Sequence, residues 1–197
     1  MKIHNIVYVS KYGYTKKYAE ILANKLGVCA YSLKEAKKNI KKGEPIIFLS
    51  GLNNNRLNEL KKVQKKYDIT SILAVGMSFI RPTLPELVRI ANGFPEDFPL
   101  FYAQGGLDPN KISKLERFFL QVSLAPYNQI TEPTEEDRMT VDMLGNAADY
   151  VSEDKLYEYY AYLLDDPSYL ELIPKKETNP SLEEENEEQE KEEDALQ

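Results

Sequence analysis

Short apolar runs alternate with amphipathic helical patterns over roughly the first 125 residues, and this alternation limits the fold more than any other feature. Ile3–Val9 is a β-branched run, and Thr15–Gly27 follows with Tyr18, Leu22 and Leu26 on one helical face and Gly27 as a stop. Val28–Leu33 reads as a second strand. Ser32 and Glu35 form a capping-box pattern that opens a Lys-rich helical stretch ending at Gly43. Pro45–Ser50 is a third strand, and Asn54–Tyr67 reads as a helix with Leu57, Leu60 and Val63 on one face. Thr70–Gly76 is a fourth strand, and Thr83 and Glu86 give a capping pattern for a helix ended by Gly93. Pro99–Ala103 is a fifth strand. Ser113 and Glu116 cap a fifth helix carrying Leu115, Phe118, Phe119 and Val122.

Strands that alternate with helices pair in parallel, because each crossover returns the chain to the same end of the sheet. Near-continuous apolar strands such as Ile46–Leu49 agree with burial on both faces. The expected fold is therefore α/β: a doubly wound, five-stranded parallel sheet in the order 2-1-3-4-5, with a C-terminal helical extension. Residues 1–128 form the expected domain, 129–173 a helical extension packed on it, and 174–197 an acidic tail. In the extension, Thr134 and Asp137 form a capping pattern, and Ser152 is the expected cap of Glu153–Leu164. Tyr150, Tyr157, Tyr159, Tyr160, Tyr162 and Tyr169 concentrate there and are read first as rings packing the extension onto the body.

Charge divides along the same lines. Residues 1–128 hold 20 basic and 10 acidic side chains, whereas residues 129–197 hold 5 and 22. The whole-chain net of −7 thus averages a basic body and an acidic end. Residues 183–197 carry nine acids with only Ala195 and Leu196 as apolar residues, too little to offset ordering entropy, so disorder is expected. No run approaches the ~20 apolar residues of a membrane span. No signal-peptide pattern opens the chain, and a cytoplasmic location is expected. A single cysteine, Cys29, excludes an internal disulfide and is expected to be a small core residue. The single histidine, His4, is read as a surface or strand-edge residue. This scarcity of Cys and His also argues against a zinc or iron–sulfur centre and a Cys- or His-based triad.

In an open α/β sheet, ligands bind outside the carboxyl ends of the strands, where the strand order reverses. The loop after the first strand, Ser10-Lys11-Tyr12-Gly13-Tyr14-Thr15, has two hydroxyls, a glycine and a run of N–H groups at a helix start, which is phosphate-holding geometry. Lys16 and Lys17 follow in the first helical turn, where the dipole is already positive and each costs roughly 0.3–1 kcal/mol. A bound dianion would reverse that sign. No G-x-x-x-x-G-K-S/T is present, and no G-x-G-x-x-G follows the first strand, which excludes P-loop and dinucleotide readings.

The stretch Ile6 through Glu20 resembles the FMN-phosphate loop and first helix of flavodoxin-domain proteins. The chain looks most like the branch that contains menaquinone-dependent protoporphyrinogen dehydrogenase. The run Gly105-Gly106-Leu107-Asp108-Pro109-Asn110-Lys111-Ile112-Ser113 is similar to that branch's stretch after the fifth strand, and Thr134 to Val151 resembles the extension of related bacterial flavodoxin-domain proteins. The resemblance covers about residues 3–165. It implies a flavodoxin-like fold and non-covalent FMN, with phosphate in Ser10, Lys11, Tyr12, Gly13, Tyr14 and Thr15. It places the ring between Ser50-Gly51-Leu52-Asn53-Asn54 and Gly105-Gly106-Leu107-Asp108. The cofactor would carry the chemistry, so no catalytic side chain and no metal ligand is assigned. The implied partners are a redox protein or a small-molecule or quinone acceptor.

The chain departs from this pattern after the third strand, where relatives usually have Ser-Gly-Ile-Tyr-Ala-Gly-Lys. Here the run is Ser50-Gly51-Leu52-Asn53-Asn54-Asn55-Arg56, and the chain has no Trp. Tyr12, Tyr14, Phe79 and Tyr102 are the aromatic residues that could replace the missing ring neighbour. Three readings follow: an FMN redox protein, a porphyrinogen-oxidising dehydrogenase, and a flavin-free interaction module on the same scaffold. The body's lysines raise nucleic-acid binding as a fourth, but no base-stacking aromatics interleave with them, so it is not expected.

Overall fold

The computed structural model describes residues 4–78 and 82–174. The chain runs β1 (Ile6–Val9), α1 (Tyr14–Leu26), β2 (Ala30–Ser32), α2 (Leu33–Asn39), β3 (Pro45–Asn53), β4 (Arg56–Leu57), α3 (Leu60–Gln64), β5 (Asp68–Gly76), α4 (Leu84–Asn92) and β6 (Leu100–Gln104). It continues through β7 (Gly106–Leu107), α5 (Lys114–Leu124), α6 (Glu135–Gly145), β8 (Ala148–Asp149), α7 (Tyr157–Leu164) and α8 (Ser168–Glu171). Five parallel strands form the main sheet in the order β2-β1-β3-β5-β6, the order expected of a flavodoxin-like sheet. The acidic segment 183–197 and Phe79 lie outside the described residues.

Side chains alternate across the pleat, so each strand feeds two cores. Val7, Phe48, Ile72 and Leu100 are register partners in one row and face α2, α3 and α4. Ile6, Ile47, Leu49, Leu73, Val75 and Ala103 face the other way, against Tyr18, Ala19 and Leu22 of α1. The second helix on that face is α7, not the helix that follows β6. Tyr159, Tyr160 and Leu163 of α7, with Leu156 just before it, are buried in this second core. Tyr159 shares a hydrogen bond with Ser71 of β5 (2.7 Å), and its ring centroid lies 4.7 Å from that of Phe101.

The helix expected after the fifth strand, α5, lies off the sheet. Its Leu115, Phe118, Phe119 and Val122 are 54–64% exposed, and it contributes to neither core. Its excursion closes at the base by antiparallel pairing of β7 with β8, Gly106 opposite Asp149 and Leu107 opposite Ala148.

Other differences have local causes. The helix expected over Asn54–Tyr67 is only α3, because Asn54 (φ 50°) and Asn55 (φ 59°) make a two-residue turn. That turn folds β4 back on β3, pairing Leu52 with Leu57 and Asn53 with Arg56. Asn tolerates this left-handed backbone better than other non-glycine residues. The capping boxes at Ser32, Ser113 and Thr134 form as expected. The capping pattern at Thr83 and the cap at Ser152 do not form: Thr83 has helical φ and ψ, and a 3-10 turn at Glu153–Leu156 precedes α7. The Lys-rich helix stops at Asn39, short of Gly43. Cys29 is exposed just before the edge strand β2, not part of the core.

If α7 is integral to the core, Leu163→Ala, which empties a side chain 1% exposed, should cost about 2–5 kcal/mol in urea unfolding. A loss below about 1 kcal/mol would show that α7 lies outside the cooperative unit.

Candidate functional site

The loop between β1 and α1 sits at the carboxyl edge of the sheet. Gly13 occupies the helix N-cap with φ 100° and ψ −22°, a conformation that needs glycine, and no side chain caps α1. Its N–H donates to Ser10 Oγ (3.1 Å), which tightens the loop. Thr15 is buried and close to the end of β3: a Cβ on Gly51 would stand 3.6 Å from Thr15 Oγ1 and 3.2 Å from Asn58 Nδ2. The first turn of α1 carries no acid. Lys16 pairs with Glu20 one turn on, and Lys17 pairs with Asp149 of β8. The lysines' unfavourable position against the dipole is thus met partly within the protein.

Ser50, Gly51 and Leu52 lie in β3, and the turn after Asn53 follows them. Gly51 O accepts from Asn58 N (3.1 Å) and Asn58 Nδ2 (2.7 Å), and Ser50 Oγ lies 3.1 Å from Asn58 O. The hairpin is tied to α4 by Asn92, which accepts from Leu57 N (2.9 Å) and donates to Asn55 O (2.8 Å). Asn53 and Asn54 are exposed at its tip.

Gly105 and Gly106 are both buried, and the protein itself fills the space beside them. A Cβ on Gly106 would run into the Ala148 carbonyl and stand 2.5 Å from Tyr14 Cε1. One on Gly105 would stand 2.9 Å from Val75 Cγ1. Tyr14 therefore joins the first loop to the glycine pair. Leu107 is buried, and Asp108 accepts from Asn110 N (3.0 Å) and pairs with Lys111 at 3.0 Å, closing a turn.

Lys11 and Tyr12 turn outward to α5. Both donate to Glu116 Oε1, Tyr12 at 2.5 Å, while Glu116 Oε2 accepts from Ser113 N (2.9 Å) and Ser113 Oγ (2.7 Å). The donation from Lys11, then that from Tyr12, holds the Glu116 carboxyl down at about 2. The sequence marks Glu116 only as a cap; its second use, across 105 residues, carries no local signal. Asn58, Asn92 and Asp149 likewise had none. Of the aromatic residues proposed to stand beside a flavin, Tyr102 is buried and donates to Ser78 O (2.7 Å), and Tyr12 and Tyr14 are engaged as above.

The arrangement brings the first loop, Gly51 and the glycine pair to one edge, with backbone N–H groups as its main donors. Among the described residues, no group of three or more His, Cys, Asp or Glu side chains could hold a metal ion, and no helix is long and apolar enough to cross a membrane.

Because the Glu116 carboxyl is lower in the folded chain, its contribution to stability is complete above its ordinary value of 4.5 and disappears as pH falls toward about 2. Between these limits, urea-measured stability of the native chain should fall more steeply than that of Glu116→Gln. Parallel curves would show that the latch adds nothing.

The chain matches no protein-family model, no curated protein and no solved structure.

Proposed function

We propose that this protein is a flavodoxin-like redox protein that holds FMN non-covalently at the carboxyl edge of its sheet. The observation that supports this reading most is the start of α1: a glycine N-cap in a positive-φ conformation, with no side-chain cap, at the edge where ligands of such sheets bind. An uncapped 13-residue helix start with Lys16 and Lys17 in its first turn suits a phosphate dianion. Ser10, Gly13, Tyr14 and Thr15 would hold the phosphate, and Ser50–Asn54 would border the ring. When bound, FMN supplies one- and two-electron chemistry, and the chain's own residues position it and limit its exposure to water. The electrons would pass between a partner protein and a small-molecule or quinone acceptor. A porphyrinogen-oxidising activity is a narrower version of the same reading, carried by the resemblance at Gly105–Ser113.

Two observations favour a second reading, a flavin-free module. The space beside Gly105 and Gly106 is filled by Tyr14, Val75 and Ala148, and Asn53 stands where an aromatic residue is usual.

Titration with FMN separates the two. The first reading predicts saturable flavin retention and, at 100 times the dissociation constant, a stabilisation of about 2.7 kcal/mol. Gly13→Ala should weaken binding at least about tenfold, because its φ of 100° disfavours a side chain. Asn53→Tyr should tighten it. Absence of flavin retention and of any melting shift in native and Asn53→Tyr protein alike would leave the flavin-free module.

A further inference from the structure

A separate cleft opens on the other side of β1. The chain leaves β1 toward the face covered by α1, whereas α2 and α3 lie on the opposite face. Between α2 and the start of α3, the carboxyl end of β1 is left uncovered on that opposite face. The gap is a cavity of 380 Å³, whose floor includes Val9 and Ser10 and whose walls carry Lys34 and Lys37 from α2 and Lys62 from α3. Its size is within the range of small-molecule sites, and it lies where the strand order reverses.

The charges of the cleft do not cancel. Its one carboxylate, Glu59, is bound to Lys62 at 2.6 Å. Among the described residues, neither Lys34 nor Lys37 makes an ion pair. Glu35, whose carboxylate is bonded to Ser32 of the wall, offsets one more lysine, and the remaining excess of one positive charge lies in a concave site, where field lines are focused. The backbone at Glu59 adds an independent sign: it is held at φ 60° and ψ 11°, a left-handed conformation uncommon for this residue type. Such departures concentrate at ligand sites. Here it sets the direction in which the chain leaves the β3–β4 hairpin for α3, and so the position of Lys62 across from Lys34 and Lys37.

We propose that this cleft binds a small phosphorylated molecule carrying at least two negative charges, on the face of β1 opposite α1, at a site that shares only Ser10 with the α1 loop. The inference goes beyond the FMN reading and does not depend on it. The lysines of the α2–α3 surface then divide into two groups. Lys34, Lys37 and Lys62, exposed themselves, border the cleft, whereas Lys65 and Lys66, equally exposed, lie outside it.

Calorimetric titration of the full chain with inorganic pyrophosphate at fixed ionic strength tests this, with and without saturating FMN. The expected result is one saturable site. The double variant Lys34→Gln/Lys37→Gln should weaken it at least about tenfold, and Lys65→Gln/Lys66→Gln should leave it within about twofold. Glu59→Gln, which frees Lys62, should tighten it several-fold. Pyrophosphate binding should persist unchanged when FMN is present, and equally if the chain takes up no FMN at all. No saturable binding at millimolar pyrophosphate would overturn the proposal. So would equal losses in the two double variants, the mark of a diffuse polyanion surface, or displacement by FMN, which would make the cleft part of the α1 site.

Discussion

A five-stranded sheet with strands about 4.8 Å apart is roughly 20 Å across, and a helix with its side chains covers about 10 Å. Two helices per face are therefore the minimum. On the face formed by Ile6, Ile47, Leu49, Leu73, Val75 and Ala103, α1 supplies one, and the requirement for a second decides the rest of the architecture. That second helix is α7, which arrives 53 positions after the last strand of the main sheet ends at Gln104. Its tyrosines bring a polar end as well as a large ring, and Tyr159, buried against the sheet face, finds its partner in Ser71. The extension is thus a component of the domain's core.

With α7 in that place, the chain between β6 and α7 is free to leave the sheet, and it does so as an excursion bearing α5 and α6. The excursion has two polar attachments to the first loop and the start of α1. Glu116 at the start of α5 holds Lys11 and Tyr12, and Asp149 at the returning end holds Lys17. Gly105 and Gly106 lie between them, packed so closely on Tyr14 and Ala148 that no side chain fits. The conformation of the loop at the N-terminus of α1 is therefore coupled mechanically to a segment that the sheet itself does not need. In the FMN reading, this is how the phosphate end of the site would be held.

The main sheet was legible in the sequence because its strands are nearly continuous apolar runs separated by glycines and caps, and both kinds of signal are local. The boxes at Ser32, Ser113 and Thr134 were legible for the same reason. What was hidden depends on partners distant in sequence or on degenerate patterns. Leu57, Leu60 and Val63 fit a helical spacing, yet Leu57 reaches the core from a strand, because the left-handed turn at Asn54 and Asn55 intervenes. Two amphipathic helices, α5 and α7, follow the last strand of the main sheet, and periodicity alone does not say which one covers it. A glycine pair signals a close approach without saying what approaches; Tyr14, Val75 and Ala148 are the nearest protein neighbours. The body's lysines read as a uniform basic surface until the fold shows which of them border a cleft.

Native-state hydrogen exchange is the most direct test of the central claim, that α7 and not α5 completes the sheet's second face. Amides of α7 should exchange only through global unfolding, with the same opening free energy as those of β3 and β5, while α5 exchanges through local opening at far lower cost. The account would be contradicted if α7 exchanged as fast as α5, or if α5 were as protected as the central strands.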